Sequence, residues 1–224
     1  MNSPLVELRG VSKQFTKKLD VTAKIARRMG LSVSEETVHA VENVSLSVHS
    51  GTVLGLVGES GCGKSTLGRI VSGIYPPSQG TVSYGGRVVS DLQSSDKVDY
   101  TLAVQMIFQD PFSSLNPRQK VGQIIGEAPR IHGLWTSSEI DTKLNEVMER
   151  VGLDPNFKHR YPHQFSGGQR QRIGIARALA VGPEFIVCDE AVASLDVSIQ
   201  AQILNLFMDL REELDLTYLF ISHD

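Results

Sequence analysis

Apolar positions along the chain follow two different periods. Val44-Ser45-Leu46-Ser47-Val48 and Thr81-Val82-Ser83-Tyr84 alternate apolar with polar residues, the period of a strand with one face in water. The second run leads into Gly85-Gly86, a turn pair. Leu5 to Val11 is a short mixed run that reads as an edge strand. Val53-Leu54-Gly55-Leu56-Val57, Phe185-Ile186-Val187-Cys188 and Tyr218-Leu219-Phe220-Ile221 are nearly continuous apolar runs, as parallel strands buried on both faces tend to be. Between the strands, apolar residues recur at helical spacing. Ile203, Leu204, Leu206, Phe207 and Leu210 belong to a helix over Ile199 to Leu214. Gln169 to Ala180, Leu67 to Ile74 and Ser138 to Val151 read as further helices. Strands alternating with helices predict an α/β fold around a parallel sheet covered on both faces. Residues 110–165 have few strand-like runs and several helical ones, which predicts a mostly helical insertion in that frame. No repeat at a fixed period is present.

One stretch interrupts an otherwise short connection. Thr16 to Thr37 carries Lys17, Lys18, Lys24, Arg27 and Arg28, with Val21, Ile25 and Met29 at intervals of four. It reads either as a solvated surface helix packed on its own domain, or as a basic amphipathic helix resting on lipid headgroups or on a partner.

Composition narrows the class. The 224 residues are 41% hydrophobic and 21% charged, as in ordinary globular domains, so a disordered or low-complexity chain is excluded. A formal net charge of −3 argues against a protein whose affinity comes from coating nucleic-acid phosphates. Two cysteines, Cys62 and Cys188, make neither a disulfide framework nor a zinc cluster, and favour a reducing compartment. The N-terminal residues do not read as a signal peptide, and no run approaches the ~18 apolar residues of a membrane span.

Candidate chemistry begins at Gly58-Glu59-Ser60-Gly61-Cys62-Gly63-Lys64-Ser65-Thr66, a full G-x-x-x-x-G-K-[ST] motif between an apolar strand and a helix. Glycines let backbone N–H groups turn inward around an anion, and the helix N-terminus adds partial positive charge. Lys64 would reach the β- and γ-phosphates of a nucleotide, Ser65 would ligate Mg²⁺, and Thr66 would sit near the α-phosphate. Cys62 reads either as a small residue that fits the loop or as a thiol activated by the helix N-terminus. Asp189 and Glu190 end a buried strand; Asp189 suits a Mg²⁺ ligand and Glu190 a general base. Ser166-Gly167-Gly168-Gln169, after Phe165, opens a helix. It is either a second anion site, of use if two chains meet head to tail, or an ordinary N-cap.

These motifs together resemble the ATP-binding cassette (ABC) family of transport ATPases over essentially the whole chain. The resemblance rests on Gly58–Thr66, on Phe165–Gln169 as the signature motif, on Asp189-Glu190, on Gln109 after Met106-Ile107-Phe108, on Ser194-Leu195-Asp196, and on His223 in Ile221-Ser222-His223-Asp224. It implies a P-loop NTPase fold with a mainly parallel core sheet, a small antiparallel β subdomain and an inserted helical subdomain at about 110–178. Residues 1–224 would form one such domain, with the basic insertion at about 16–38. It also implies ATP and Mg²⁺ as ligands. Gln109 would contact the metal and water, Asp196 would line a dimer interface, and His223 would contact the γ-phosphate. Phe15 would stack on adenine; otherwise it is a core phenylalanine.

Phe165 at the signature, Asn116-Pro117-Arg118, and Asp196 to Gln202 resemble the branch importing dipeptides, oligopeptides and nickel. For this chain that implies transmembrane permease subunits, a second ATPase subunit of the same or another kind, and indirectly a solute-binding protein. Nucleic acid is not an expected partner. The place of work would be the cytoplasmic face of the inner or plasma membrane, held peripherally. The rival readings are a soluble ABC-type ATPase acting on ribosomes or DNA, and a cassette that binds ATP without hydrolysing it. Two departures stand out. Ala191 occupies the place where the family usually has proline, and the family's domain continues beyond the equivalent of Asp224, so a truncated chain with an unpaired sheet edge is expected.

Overall fold

The computed structural model describes residues 3–16, 37–110 and 113–223. In chain order its elements are β1 (Val6–Thr16), β2 (Thr37–Val48), β3 (Val53–Val57), α1 (Lys64–Val71), β4 (Gln79–Tyr84), β5 (Arg87–Val88), α2 (Ser94–Ala103) and β6 (Val104–Ile107). They continue as α3 (Val121–Ile131), α4 (Ile140–Arg150), α5 (Gly167–Leu179), β7 (Phe185–Asp189), α6 (Val197–Leu214) and β8 (Thr217–Ser222). The basic insertion expected at about 16–38 lies outside the described residues except for its ends, where Thr16 pairs with Thr37 across β1 and β2.

The strands form two sheets. An antiparallel sheet has the order β2-β1-β4-β5, and a parallel sheet has the order β3-β8-β7-β6. Strand β7 explains its own continuous apolar sequence. Phe185 and Val187 join the core under α1 and the antiparallel sheet, while Ile186 and Cys188 join the core under α5 and α6. Every residue of the strand is buried.

Two strand expectations are corrected. The run over Leu5 to Val11 does not form an edge strand: β1 is interior, with Leu8 opposite Leu46 on one side and Val82 on the other. Val6, Leu8 and Val11 enter the core, and Gly10, at φ 59°, sits where the register with β2 shifts. The run Val53–Val57 is not buried on both faces. Among the described strands β3 is an edge, with Val53 51% and Val57 65% exposed. Only Leu54 and Leu56 turn toward the core, so a continuous apolar sequence here hides a one-sided strand.

Helix α1 lies close against the parallel sheet. A Cβ at Gly68 would stand 2.7 Å from Ile221 Cδ1 and 3.1 Å from Val187 Cγ1. Helix α2, not expected from sequence, buries one side chain, Tyr100, whose hydroxyl donates to the Val71 carbonyl at the end of α1. Between β6 and β7 the described elements are α3, α4, two short 3₁₀ turns (Pro155–His159 and Pro162–Gln164) and α5. Their apolar faces, with Ile125, Met148 and Ile173 fully buried, meet on the α5 side of the sheet. No helix among the described residues is long and apolar enough to cross a membrane.

Candidate functional site

The loop Gly58–Gly63 joins β3 to α1, with Glu59 to Cys62 open to solvent. Its geometry depends on glycine at one position above the others. Gly63 has φ 97°, and a Cβ there would fall 2.0 Å from the Ala40 carbonyl oxygen of β2. The Lys64 side chain is 7% exposed and folds back along the loop. Its ammonium donates to the carbonyls of Gly58 (2.6 Å) and Glu59 (2.7 Å), and stands 3.9 Å from Cys62 Sγ. A second wall is supplied by β2, so that His39, Glu42, Cys62, Gly63 and Lys64 border a cavity of about 320 Å³.

Ser65 and Thr66 follow on α1. The Ser65 hydroxyl donates to Asp189 Oδ1 at 2.7 Å, joining the helix start to the end of β7. Asp189 is 3% exposed. Burial pushes its carboxyl above the usual value; the Ser65 hydroxyl and the charges of Arg69 and Lys64 oppose that rise, and Glu190 adds to it. Ser65, Arg69, Gln109 and Asp189 border a cavity of about 360 Å³. Arg69 was not anticipated. It is four residues beyond Ser65 on one helix, the spacing that brings two side chains to one face, and that spacing was the available signal.

Three adjacent parallel strands end at one place. Gln109 follows β6, Glu190 follows β7 and His223 follows β8. The Gln109 amide donates to Glu190 Oε2 at 2.6 Å, and His223 Nδ1 is 3.5 Å from Glu190 Oε1. Glu190 is one of three non-glycine residues with positive φ, at 47°, among those described. Its N–H donates to the Ile221 carbonyl at 3.1 Å, and its carbonyl accepts from Ala193 N–H at 3.0 Å. Those bonds hold a conformation that L-residues adopt at some cost. The C-terminal ends of parallel strands are where open α/β sheets bind ligands.

The structure thus brings Lys64, Ser65 and Asp189 together, and Gln109, Glu190 and His223 together beside them. Ser166 to Gln169 lies elsewhere on the chain. Ser166 caps α5, accepting from Gln169 N–H at 3.3 Å, while the Gln169 side chain accepts from Ser166 N–H at 3.0 Å. Ser166 and Gly167 are exposed, and Gly167 and Gly168 pack on Leu195 and Ile199. Asp196 is exposed at the N-cap of α6, its carbonyl accepting from Ile199 and Gln200. Phe15, on β1 and 39% exposed, meets Tyr75 edge to face at 5.5 Å with Lys13 Nζ 5.2 Å from its ring. Tyr75, like Arg69, went unnoticed in the sequence; its partnership with Phe15 spans sixty residues and leaves no local pattern.

Known proteins place the chain in a family. The family profile described as "ABC transporter" matches residues 41–193. An oligopeptide transport ATP-binding protein of Bacillus subtilis (strain 168), AppF, is 50% identical over 222 residues, covering 98% of this chain and 64% of the relative. Another from the same organism, OppF, is 53% identical over 190 residues, covering 84% of this chain and 62% of the relative. The chain therefore spans less than two thirds of the length of these relatives. Among solved structures, a dimeric ATP-binding cassette in a post-hydrolysis state with ADP and Pi superposes with a TM-score of 0.79 at 28% identity, covering 98% of this chain and 88% of that one. The structure of cbiO1 from Clostridium perfringens, part of the ABC transporter complex cbiONQ, has the same fold, with a TM-score of 0.77 at 23% identity, covering 100% of this chain and 80% of that one. The matched residues 41–193 include the phosphate loop, Gln109, the α5 cap and the Asp189-Glu190 pair, and the chain belongs to the ABC transporter family.

Proposed function

We propose that this chain binds ATP and hydrolyses it to power import of dipeptides or oligopeptides through partner transmembrane subunits. The observation that carries the reading is the meeting of Gln109, Glu190 and His223 at three strand ends, beside the Lys64–Ser65–Asp189 cluster. In this reading the loop Gly58–Gly63 and the start of α1 cradle the phosphates, and Lys64 turns from its two carbonyls to the β- and γ-phosphates. Glu190, steered by Gln109, accepts the proton of the attacking water. His223 donates toward the γ-phosphoryl oxygens as charge develops on them.

The donors beside Glu190 fit Mg²⁺. Ser65 offers a hydroxyl, Asp189 a carboxylate and Gln109 an amide oxygen, the hard oxygen set that this ion takes. When bound there, Mg²⁺ would supply positive charge to offset that of the nucleotide's phosphates.

The exposed cap Ser166-Gly167 is an anion site with no part in the cavities beside Lys64 and Asp189, which suits a head-to-tail pair in which each chain's cap covers the partner's nucleotide. Asp196 then lines that pair, and Phe15 stacks on adenine. Residues 1–224 act as one ATPase domain, with about 110–178 as its helical subdomain. The second chain is the same or another cassette; permease subunits and, through them, a solute-binding protein complete the assembly on the cytoplasmic face. The peptide class comes from the relatives, whose names describe oligopeptide transport ATP-binding proteins.

The test is ATP turnover by the purified chain beside Glu190→Gln. Turnover in the wild type and its near abolition in the variant, with ATP still bound, is the expected result. Undiminished turnover in Glu190→Gln removes Glu190 from the role.

A further inference from the structure

Helix α5 carries three arginines that each hold a backbone carbonyl on a different segment. Arg170 Nε donates to Pro162 at 2.9 Å, Arg172 Nη1 to Val151 and Arg177 Nη1 to Ser114, the last at 2.6 Å. The first two tie α5 to the 3₁₀ turn just before it and to the end of α4. The third reaches much further, across 63 residues, to the segment that follows Gln109. Arg177 is half-buried, and among the described residues it forms no ion pair. Withdrawal from water lowers its guanidinium below the ordinary value. A desolvated cation aimed at a single carbonyl is costly where only stability is at stake, since an apolar side chain would fill the same space at less cost.

The contact lies in a continuous line of bonds. The Asp110 carbonyl, next to Gln109 in the chain, accepts from Ser114 N–H and from the Ser113 hydroxyl, both at 3.3 Å. The carbonyl of Ser114 accepts from Arg177. Gln109 in turn donates to Glu190. At the other end of the same helix stand Ser166 and the two glycines.

We infer that Arg177 is a positioning residue: by gripping the Ser114 carbonyl it ties the helix that bears the Ser166–Gln169 cap to the Ser114–Asp110 hydrogen bond beside Gln109, and so steadies Gln109 against Glu190. The inference rests on the ATPase reading above. Arg177 touches neither nucleotide nor water in this account.

The test uses the full chain with Arg177→Met, Arg177→Lys, Gln109→Ala and the double variant Arg177→Met/Gln109→Ala. Affinity for a fluorescent ATP analogue, kcat and KM are measured, together with hydrogen exchange of the amides at Ser114 and Leu115. Loss of a hydrogen bond from a charged donor predicts a fall in kcat of about tenfold for Arg177→Met, with analogue affinity and KM unchanged. Arg177→Lys keeps a cationic donor and should retain most of the activity. In the Gln109→Ala background Arg177→Met should bring no further loss, because both changes act through one contact. Additive losses, a matching fall in affinity, or equal damage from Lys and Met would each overturn the inference. A wild-type chain that turns over no ATP would sink the ATPase reading instead. Exchange then decides alone: faster exchange at Ser114 and Leu115 in Arg177→Met supports the tie, and unchanged exchange ends it. Should Arg177→Met unfold, the Lys variant and its exchange profile carry the same decision.

Discussion

Gln109 and Glu190 meet across neighbouring strand ends, with the side-chain amide of one donating to Oε2 of the other at 2.6 Å. The amide nitrogen has only protons to offer, so Gln109 donates and Glu190 accepts. Replacing the amide with a second carboxylate would set two acceptors at hydrogen-bond distance with no donor between them. Gln109→Glu should therefore lower kcat more than Gln109→Met, which removes the bond without adding a second acceptor. Equal kcat in the two variants would show that the contact with Glu190 does not matter in turnover.

Lys64 offers a sharper separation of binding from folding. Its ammonium is satisfied by two carbonyls of an exposed loop, so removing it leaves acceptors that water can reach. Lys64→Ala should cost the folded chain little and cost nucleotide affinity about a hundredfold, as expected when a phosphate loses its main cation. A thermal-shift series reads both quantities. The ligand-free midpoint should stay close to wild type, and the upward shift that ATP produces in the wild type should disappear. A variant that is still stabilised by ATP to the wild-type extent would contradict the placement of Lys64 at the phosphates.

Much of this site could be read from the sequence, and the reasons differ from residue to residue. The phosphate loop is a contiguous motif whose chemistry depends on backbone conformation, so Gly63 and Lys64 announce themselves locally. Glu190 was legible because the Asp189-Glu190 pair ends a buried strand in a chain that also carries the phosphate loop; alone, such a pair can equally be a helix cap. Arg69, Tyr75 and the Arg177–Ser114 contact were not, because each depends on which helix face or distant segment it meets. The fold shows the same division. Strand β7 was legible as a doubly buried strand because all five residues are apolar or end the strand at the site. Strand β3 carries an equally apolar run yet leaves Val53 and Val57 in water, since its place at the edge is set by pairing with β8. Helix α2 escaped notice because it buries only Tyr100 and so prints almost no apolar period.

Gly168 illustrates a residue whose sequence-level reading was incomplete. As part of the α5 cap it invites an account in terms of anion binding. The structure adds a packing reason, because a Cβ there would stand 2.6 Å from Ile199 Cγ2. Gly168→Ala should therefore destabilise the chain by about 1–3 kcal/mol through overpacking. Trimming the opposing side chain should relieve it: Gly168→Ala/Ile199→Ala should be more stable than the sum of the two single effects predicts. Urea denaturation of the four proteins measures the coupling. Strict additivity would mean that α5 moves away from α6 freely, and that packing does not explain the glycine.

Acid titration supplies a test well away from the nucleotide site. Glu139, just before α4, has its carboxyl held well below the usual carboxylate range, at about 2. The Thr136 hydroxyl, donating at 2.6 Å, is the first cause; the Thr136 N–H at 2.9 Å and the positive charge of Lys143 add to it. A carboxyl whose folded value lies below its unfolded value stabilises the fold at pH above the unfolded value, and that contribution is lost as pH falls toward the folded value. The stability difference between wild type and Glu139→Gln should thus be constant at neutral pH and shrink steadily from the ordinary carboxylate range down to about 2. Because the group is fully exposed, the more direct reading is its own titration. The Glu139 carboxyl carbon, followed by NMR, should show a midpoint near 2, and Thr136→Val should move that midpoint back toward the ordinary value by removing the first of the causes. A wild-type midpoint of about 4, unmoved by Thr136→Val, would mean that the Thr136 contacts do not persist in solution.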